Sequence, residues 1–198
     1  MVDLIDSYSE ANRTGDHPLR DNHESDHATY WSAVGQWFTT PASPQYKLTS
    51  CKFFMEKEGF PGLPTGNGHA VLYAESGGKP IGEALATSDA FDVSTLTTTR
   101  TLHEMTFSGG EQYTMSVSTK YCIVFEAPAV GTIDDNNIID MGVDSAGSHN
   151  GEECYFVNGA WVNLSAADVC FYVYGTTAGG AAAPVGNIAL LAQIAGIV

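Results

Sequence analysis

An all-β fold of two antiparallel sheets packed face to face is what this sequence predicts, on three observations. Apolar residues come in short alternating runs, Gly, Pro and Ser-Asp breaks separate the runs, and no run is long or periodic enough for a packed helix. The stretch from Leu63 to Glu126 shows all three.

Residues 1–33 are polar and rich in Asp, His, Asn and Ser, and are expected as an N-terminal arm with first loops, part of the sandwich or of an intersubunit contact. Val34-Gly-Gln-Trp-Phe38 reads as the first strong strand, closed by the break at Pro41 to Pro44. In the next run Cys51, Phe53 and Met55 share one face and Lys52, Phe54 and Glu56 the other, the pattern of a half-buried strand. Gly59-Phe-Pro-Gly-Leu-Pro-Thr-Gly-Asn-Gly68 holds too many breakers for regular structure and is expected as a long loop at one end of the sandwich. Further strands are predicted near 69–75, 84–87, 101–107, 112–117, 120–126, 137–143, 153–157, 160–163 and 169–174. The last has apolar residues on both faces and is expected in a central position. About ten short strands with mixed connection lengths favour a jelly-roll-like sandwich over a closed barrel. The expected division is 1–33 arm, 34–175 sandwich and 176–198 hinge and apolar C-terminal tail.

Composition narrows the function. At 198 residues and 43% hydrophobic content the chain can bury one sizeable core. Eight Lys plus Arg against 23 Asp plus Glu give a net charge of -15, which repels phosphate backbones and anionic lipid, so neither nucleic acid nor a membrane is expected as partner. The first residues lack a basic, then apolar, leader pattern, and no run reaches the length of a membrane span. Cys51, Cys122, Cys154 and Cys170 form no Cys-x-x-Cys pair, so buried free thiols are expected, with one disulfide as the alternative.

A set of phrases carries a resemblance. Pro64-Thr-Gly, Leu72-Tyr-Ala, Lys79-Pro-Ile-Gly-Glu-Ala-Leu-Ala-Thr-Ser-Asp89, Phe91-Asp-Val-Ser, Phe107-Ser-Gly, Tyr121-Cys-Ile-Val, Gly142-Val-Asp-Ser and Asn158-Gly-Ala-Trp161 together resemble a jelly-roll domain of structural proteins from tailed bacteriophages and related viruses, over most of residues 5–175. The resemblance implies a virion component such as a decoration, minor head or tail protein, assembled in the host cytoplasm, with no active site and no cofactor. Its partners would be the major capsid or other virion proteins and further copies of itself, a trimer being one arrangement suited to a threefold position.

From Val169 to Val198 there is no charged residue. A segment this apolar has to be covered, by its own sandwich or by another subunit. Its expected contact residues are Ile188, Leu190, Leu191, Ile194, Ile197 and Val198, reached through a hinge at Gly179 to Pro184. The Asn187-Ile-Ala and Gln193-Ile-Ala-Gly-Ile phrases are similar to short phrases near the ends of phage structural proteins.

Three other constellations bear on chemistry. His23-Glu24-Ser25-Asp26-His27 has the His-Glu-x-x-His spacing of zinc proteases, but its flanks are polar where a rigid helix would need an apolar back face, so a solvated loop is expected and no metal is assigned. Asp134-Asp-Asn-Asn137 with Asp140 and Asp144 offers hard oxygens for calcium, although the Asp-x-Asp-x-Asp-Gly loop is missing and a solvated acidic turn is the simpler reading. Tyr30, Trp31 and Trp161, with Asn158 and Asn163 near the last, could stack on sugar rings, while Trp37 and Trp161 are equally readable as plugs of the core. No nucleophile with its base is nominated. The expected function is a non-enzymatic virion structural protein, a capsid decoration or head-surface component, and the alternative is a carbohydrate-binding module on a phage tail or surface appendage. Exposure of Trp31 or Trp161 would favour the second, and burial of both the first.

Overall fold

The computed structural model describes residues 1–19, 31–59, 64–127 and 137–179. They form an antiparallel β-sandwich, with no disulfide: all four cysteines are free and buried. None of the helices among the described residues is long and apolar enough to cross a membrane.

The strands are β1 Val2–Tyr8, β2 Gly15–Leu19, β3 Trp31–Thr39, β4 Tyr46–Glu58, β5 Asn67–Glu75, β6 Pro80–Thr87, β7 Phe91–Asp92, β8 Thr101–Thr106, β9 Thr114–Met115, β10 Lys120–Glu126, β11 Ile138–Asp144, β12 Glu153–Val157, β13 Ala160–Leu164, β14 Asp168–Val169 and β15 Phe171–Thr177. The first sheet runs β1-β15-β4-β11-β14, with β2 beside β11 and β8 and β9 beside β4. The second runs β13-β12-β3-β10-β5-β6, with β7 beside β5. The chain crosses from one sheet to the other after β2, β3, β4, β7, β9, β10, β11 and β13, which is the winding of a jelly-roll-like sandwich.

Alternation builds the core. Cys51, Phe53 and Met55 of β4, Tyr121, Ile123 and Phe125 of β10, and Ile139, Met141 and Val143 of β11 all point between the sheets and are buried. Phe53 meets Phe125 edge to face across the gap, with ring centroids 6.4 Å apart. Burying side chains of this size contributes roughly 1.5–3 kcal/mol each.

Two expectations need adjusting. Residues 1–33, left open between the sandwich and an intersubunit contact, contribute β1 and β2 to the first sheet, so the sandwich extends ahead of the Val34 boundary. β1 escapes notice because its pairing with β15 shifts register between Leu4 and Asp6, which breaks the alternation at Ile5. The run at 169–174 is two elements: at Cys170 the N–H turns to the Gly142 carbonyl and the carbonyl to the Phe54 N–H, so β14 serves β11 and β15 serves β4. β15 sits between β1 and β4, as a central strand should, and runs to Thr177, past the expected boundary at 175. Its outer face stays half open at Tyr172 and Tyr174.

Candidate functional site

Two surfaces stand out, one on each sheet. The first is the β1 edge. Among the described residues β1 pairs only with β15, leaving its other side unpaired. Ile5 and Tyr8 turn inward, while Val2 and Leu4 stand 57% and 51% exposed. Leu4 lies opposite Tyr174 and Val2 opposite Thr176, so the patch continues across the outer face of β15. There Tyr172 and Tyr174 are stacked with centroids 6.4 Å apart, and the Lys52 ammonium lies 5.3 Å from the centre of the Tyr174 ring. An edge strand that shows apolar side chains is a ready template for another chain.

The second surface is the outer face of the second sheet, which curls. Gly35 is opposite Val124 on one side and Cys154 on the other. An added Cβ there would fall on the Ile123 carbonyl and the Val124 Cα, so only glycine lets β3 and β10 approach this closely. The fold in the sheet is visible in its consequence: Trp161 of β13 touches Tyr73 of β5, at 5.9 Å between centroids, although three strands separate them. In a flat sheet these strands would be roughly 19 Å apart. Under the curl lies a second apolar cluster of Val71, Cys122, Val124 and Cys154, roofed by half-buried Trp37, Tyr73 and Trp161. Phe156 abuts Trp161 at 5.2 Å, and the Lys120 ammonium sits 4.0 Å over the Trp37 ring.

Between the sheets, at the end built by β1, β2, β11, β12 and β14, the interior is polar. His17 Nδ1 lies 2.5 Å from Glu153 Oε1, and Glu153 is fully buried. Burial pushes the Glu153 carboxyl above its usual range, and the hydrogen bond from His17 opposes this. Asp144 accepts hydrogen bonds from Tyr8 at 2.6 Å, Thr14 at 2.8 Å and the Ala146 N–H at 3.2 Å, which hold its carboxyl below the usual range. Cys51, Cys122 and Cys170 offer no poised nucleophile, since burial raises Cys51 and Cys122 well above an ordinary thiol and Cys170 to about 12.

The residues named from sequence are placed as follows. Tyr30, the His23 to His27 motif, Asp134 to Asn136 and the apolar residues Ile188, Leu190, Leu191, Ile194, Ile197 and Val198 lie outside the described residues. Trp31 and Trp161 are both half-buried, and they occupy opposite faces of the second sheet. Trp31 stacks on Tyr155 at 4.1 Å and meets the edge of His17 at 4.6 Å, on the core side, while Trp161 is on the curled outer face. They therefore form no common platform. Asp140 and Asp144 are not grouped either: Asp144 accepts from Tyr8 and Thr14, while the carboxylates that meet Asp140 are those of Glu56 and Glu58.

A scan of protein-family models finds no match to this chain, and a search of curated proteins finds none either.

Proposed function

We propose that this protein is a non-enzymatic structural subunit of a virion, a capsid decoration or head-surface component that binds the particle and further copies of itself. The observation that carries the assembly part is the β1 edge. Val2 and Leu4 are more than half exposed on an unpaired strand, and the chain leaves β15 beside them, since Val2 pairs with Thr176. Beyond that exit the sequence from Gly180 to Val198 is uncharged and apolar. An exposed apolar edge, on a chain that also carries an apolar segment, supports contacts between subunits, which raise particle stability by mass action. The virion part of the reading rests on the phrase resemblance, and the net charge of -15 argues for protein rather than nucleic acid as the surface bound.

The test is solution mass by light scattering after size exclusion, for the full chain, for V2K/L4K, and for a chain ending at Gly179. The expected result is an oligomer for the full chain and a folded monomer for the other two. A full chain that stays monomeric at its highest soluble concentration would overturn the assembly reading.

The curled face gives the second reading a specific basis. Half-buried Trp161 and Phe156, beside Asn163, could present ring faces and an amide to a sugar. Binding to a glycan array that disappears in W161A while V2K/L4K still binds would favour the carbohydrate module.

A further inference from the structure

The outer face of the first sheet brings three carboxylates together. Register pairs Asp140 of β11 with Glu56 of β4 and Ile138 with Glu58. Alternation sends Met55, Ile139 and Met141 into the core and leaves Glu56, Glu58 and Asp140 on the other side. One oxygen from each carboxylate lies within 4.8 Å of the other two.

Among the described residues the charge balance around them is incomplete. Arg100 is a cation on this patch, with Nη1 2.6 Å from Asp16 Oδ1 and Nη2 2.6 Å from Glu56 Oε1. The second is a charge contact rather than an aligned hydrogen bond, since Nη2 makes none. Arg100 is thus divided between Asp16 and Glu56, and among the described residues neither Glu58 nor Asp140 has an ion pair of its own. Asp140 is the more telling group. It is only 6% exposed, and no hydrogen bond reaches its carboxylate from a described residue. Asp144 and Asp168, also buried, are both hydrogen-bonded. A buried carboxylate pressed against two others is relieved by a proton or by a cation.

We propose that Glu56, Glu58 and Asp140 bind a hard divalent cation of the calcium class. All donors are carboxylate oxygens, the set that calcium takes, and a calcium ion 2.3–2.6 Å from each ligand spans oxygens up to about 5 Å apart. Water completes the shell on the Glu58 side, which is exposed. Arg100 is a positioning residue, fixing Glu56 through one oxygen. The ion would clamp β4 to β11, whose direct pairing extends only over Ile138 to Met141.

The test is calcium titration of the full chain by calorimetry, with thermal unfolding in calcium and in EDTA. Stoichiometric binding is expected, with a Tm rise of roughly 5–10 °C when calcium is at a hundredfold its dissociation constant. D140N and E58Q should each weaken binding by at least about tenfold. E58Q changes an exposed side chain, so it keeps the test open if D140N does not fold. Absence of binding heat and of any Tm shift in the unmodified chain at millimolar calcium overturns the proposal, as does binding that both variants retain unchanged.

Discussion

The Gln36 side chain ties the two sheets together through Asp168. Its Nε2 donates to Asp168 Oδ1 at 2.7 Å, and its Oε1 accepts the Val169 N–H at 2.9 Å. Gln36 is on β3 of the second sheet and Asp168 on β14 of the first. The second Asp168 oxygen accepts the backbone N–H of His149, and His149 Nδ1 accepts the N–H of Gly151. The ring proton of His149 is therefore on Nε2, which faces Asp6 Oδ1 at 3.1 Å.

Gln36 is fully buried, so its replacement strands its partners. Q36L should lower unfolding free energy by about 2–4 kcal/mol, because Asp168 loses a donor and the Val169 N–H an acceptor in a dry interior. Urea denaturation checks this. A loss under about 0.5 kcal/mol, the range of an ordinary surface change, would mean the tie is not structural.

Gly35 should tolerate no side chain. G35A drives a methyl into the Val124 backbone, and a cost of about 1–3 kcal/mol or a failure to fold is expected. Opening of the curl would appear as increased exposure of Trp161, read by fluorescence quenching.

Thiol chemistry reports on the roof over the second cluster. With all four cysteines buried, an Ellman-type reagent should label the native chain slowly. W161A uncovers Cys122 and Cys154, so labelling of these two becomes fast without denaturant, and stability falls by about 2–4 kcal/mol. Mass mapping that found Cys51 labelled first would contradict this picture.

The pH dependence of Asp140 has a definite sign. Its folded pKa is raised, so the folded state holds that proton more tightly than the unfolded state, and the contribution to stability falls as pH rises from about 4 to about 6. The groups facing it are Glu56, Glu58, Asp16 and Arg100. In EDTA above pH 6, D140N should be more stable than the unmodified chain by about 1–3 kcal/mol, and the gap should close near pH 4. Unfolding curves at the two pH values measure the difference.

Much of the fold was legible. The expected strands at 69–75, 120–126 and 153–157 match β5, β10 and β12 to within two residues, because each alternates cleanly and ends at a breaker. The half-buried reading of β4 was correct residue by residue from Cys51 to Glu56. β2 was missed because Gly15-Asp-His-Pro-Leu19 is mostly polar, and it is a strand only because β11 supplies its partners. The candidate sites were less legible. Asp140 was noticed as an acidic oxygen donor, but it was grouped with its sequence neighbours, whereas its partners Glu56 and Glu58 lie some 80 residues earlier and arrive by register. Trp31 and Trp161 were both named as candidates for stacking on sugar, and adjacent positions on β12, Tyr155 and Phe156, put them on opposite faces.

Local pattern therefore determined what local pattern can encode: the all-β class, most strand positions and the inward face of the strands it located. These follow from side-chain alternation and turn chemistry, which act over a few residues. Tertiary structure alone decided which strands neighbour one another, and with that the curl at Gly35, the cross-sheet tie from Gln36 to Asp168 and the meeting of Glu56, Glu58 and Asp140. Strand pairing is a long-range choice made by the summed packing of two whole sheets, and no short stretch of sequence carries it.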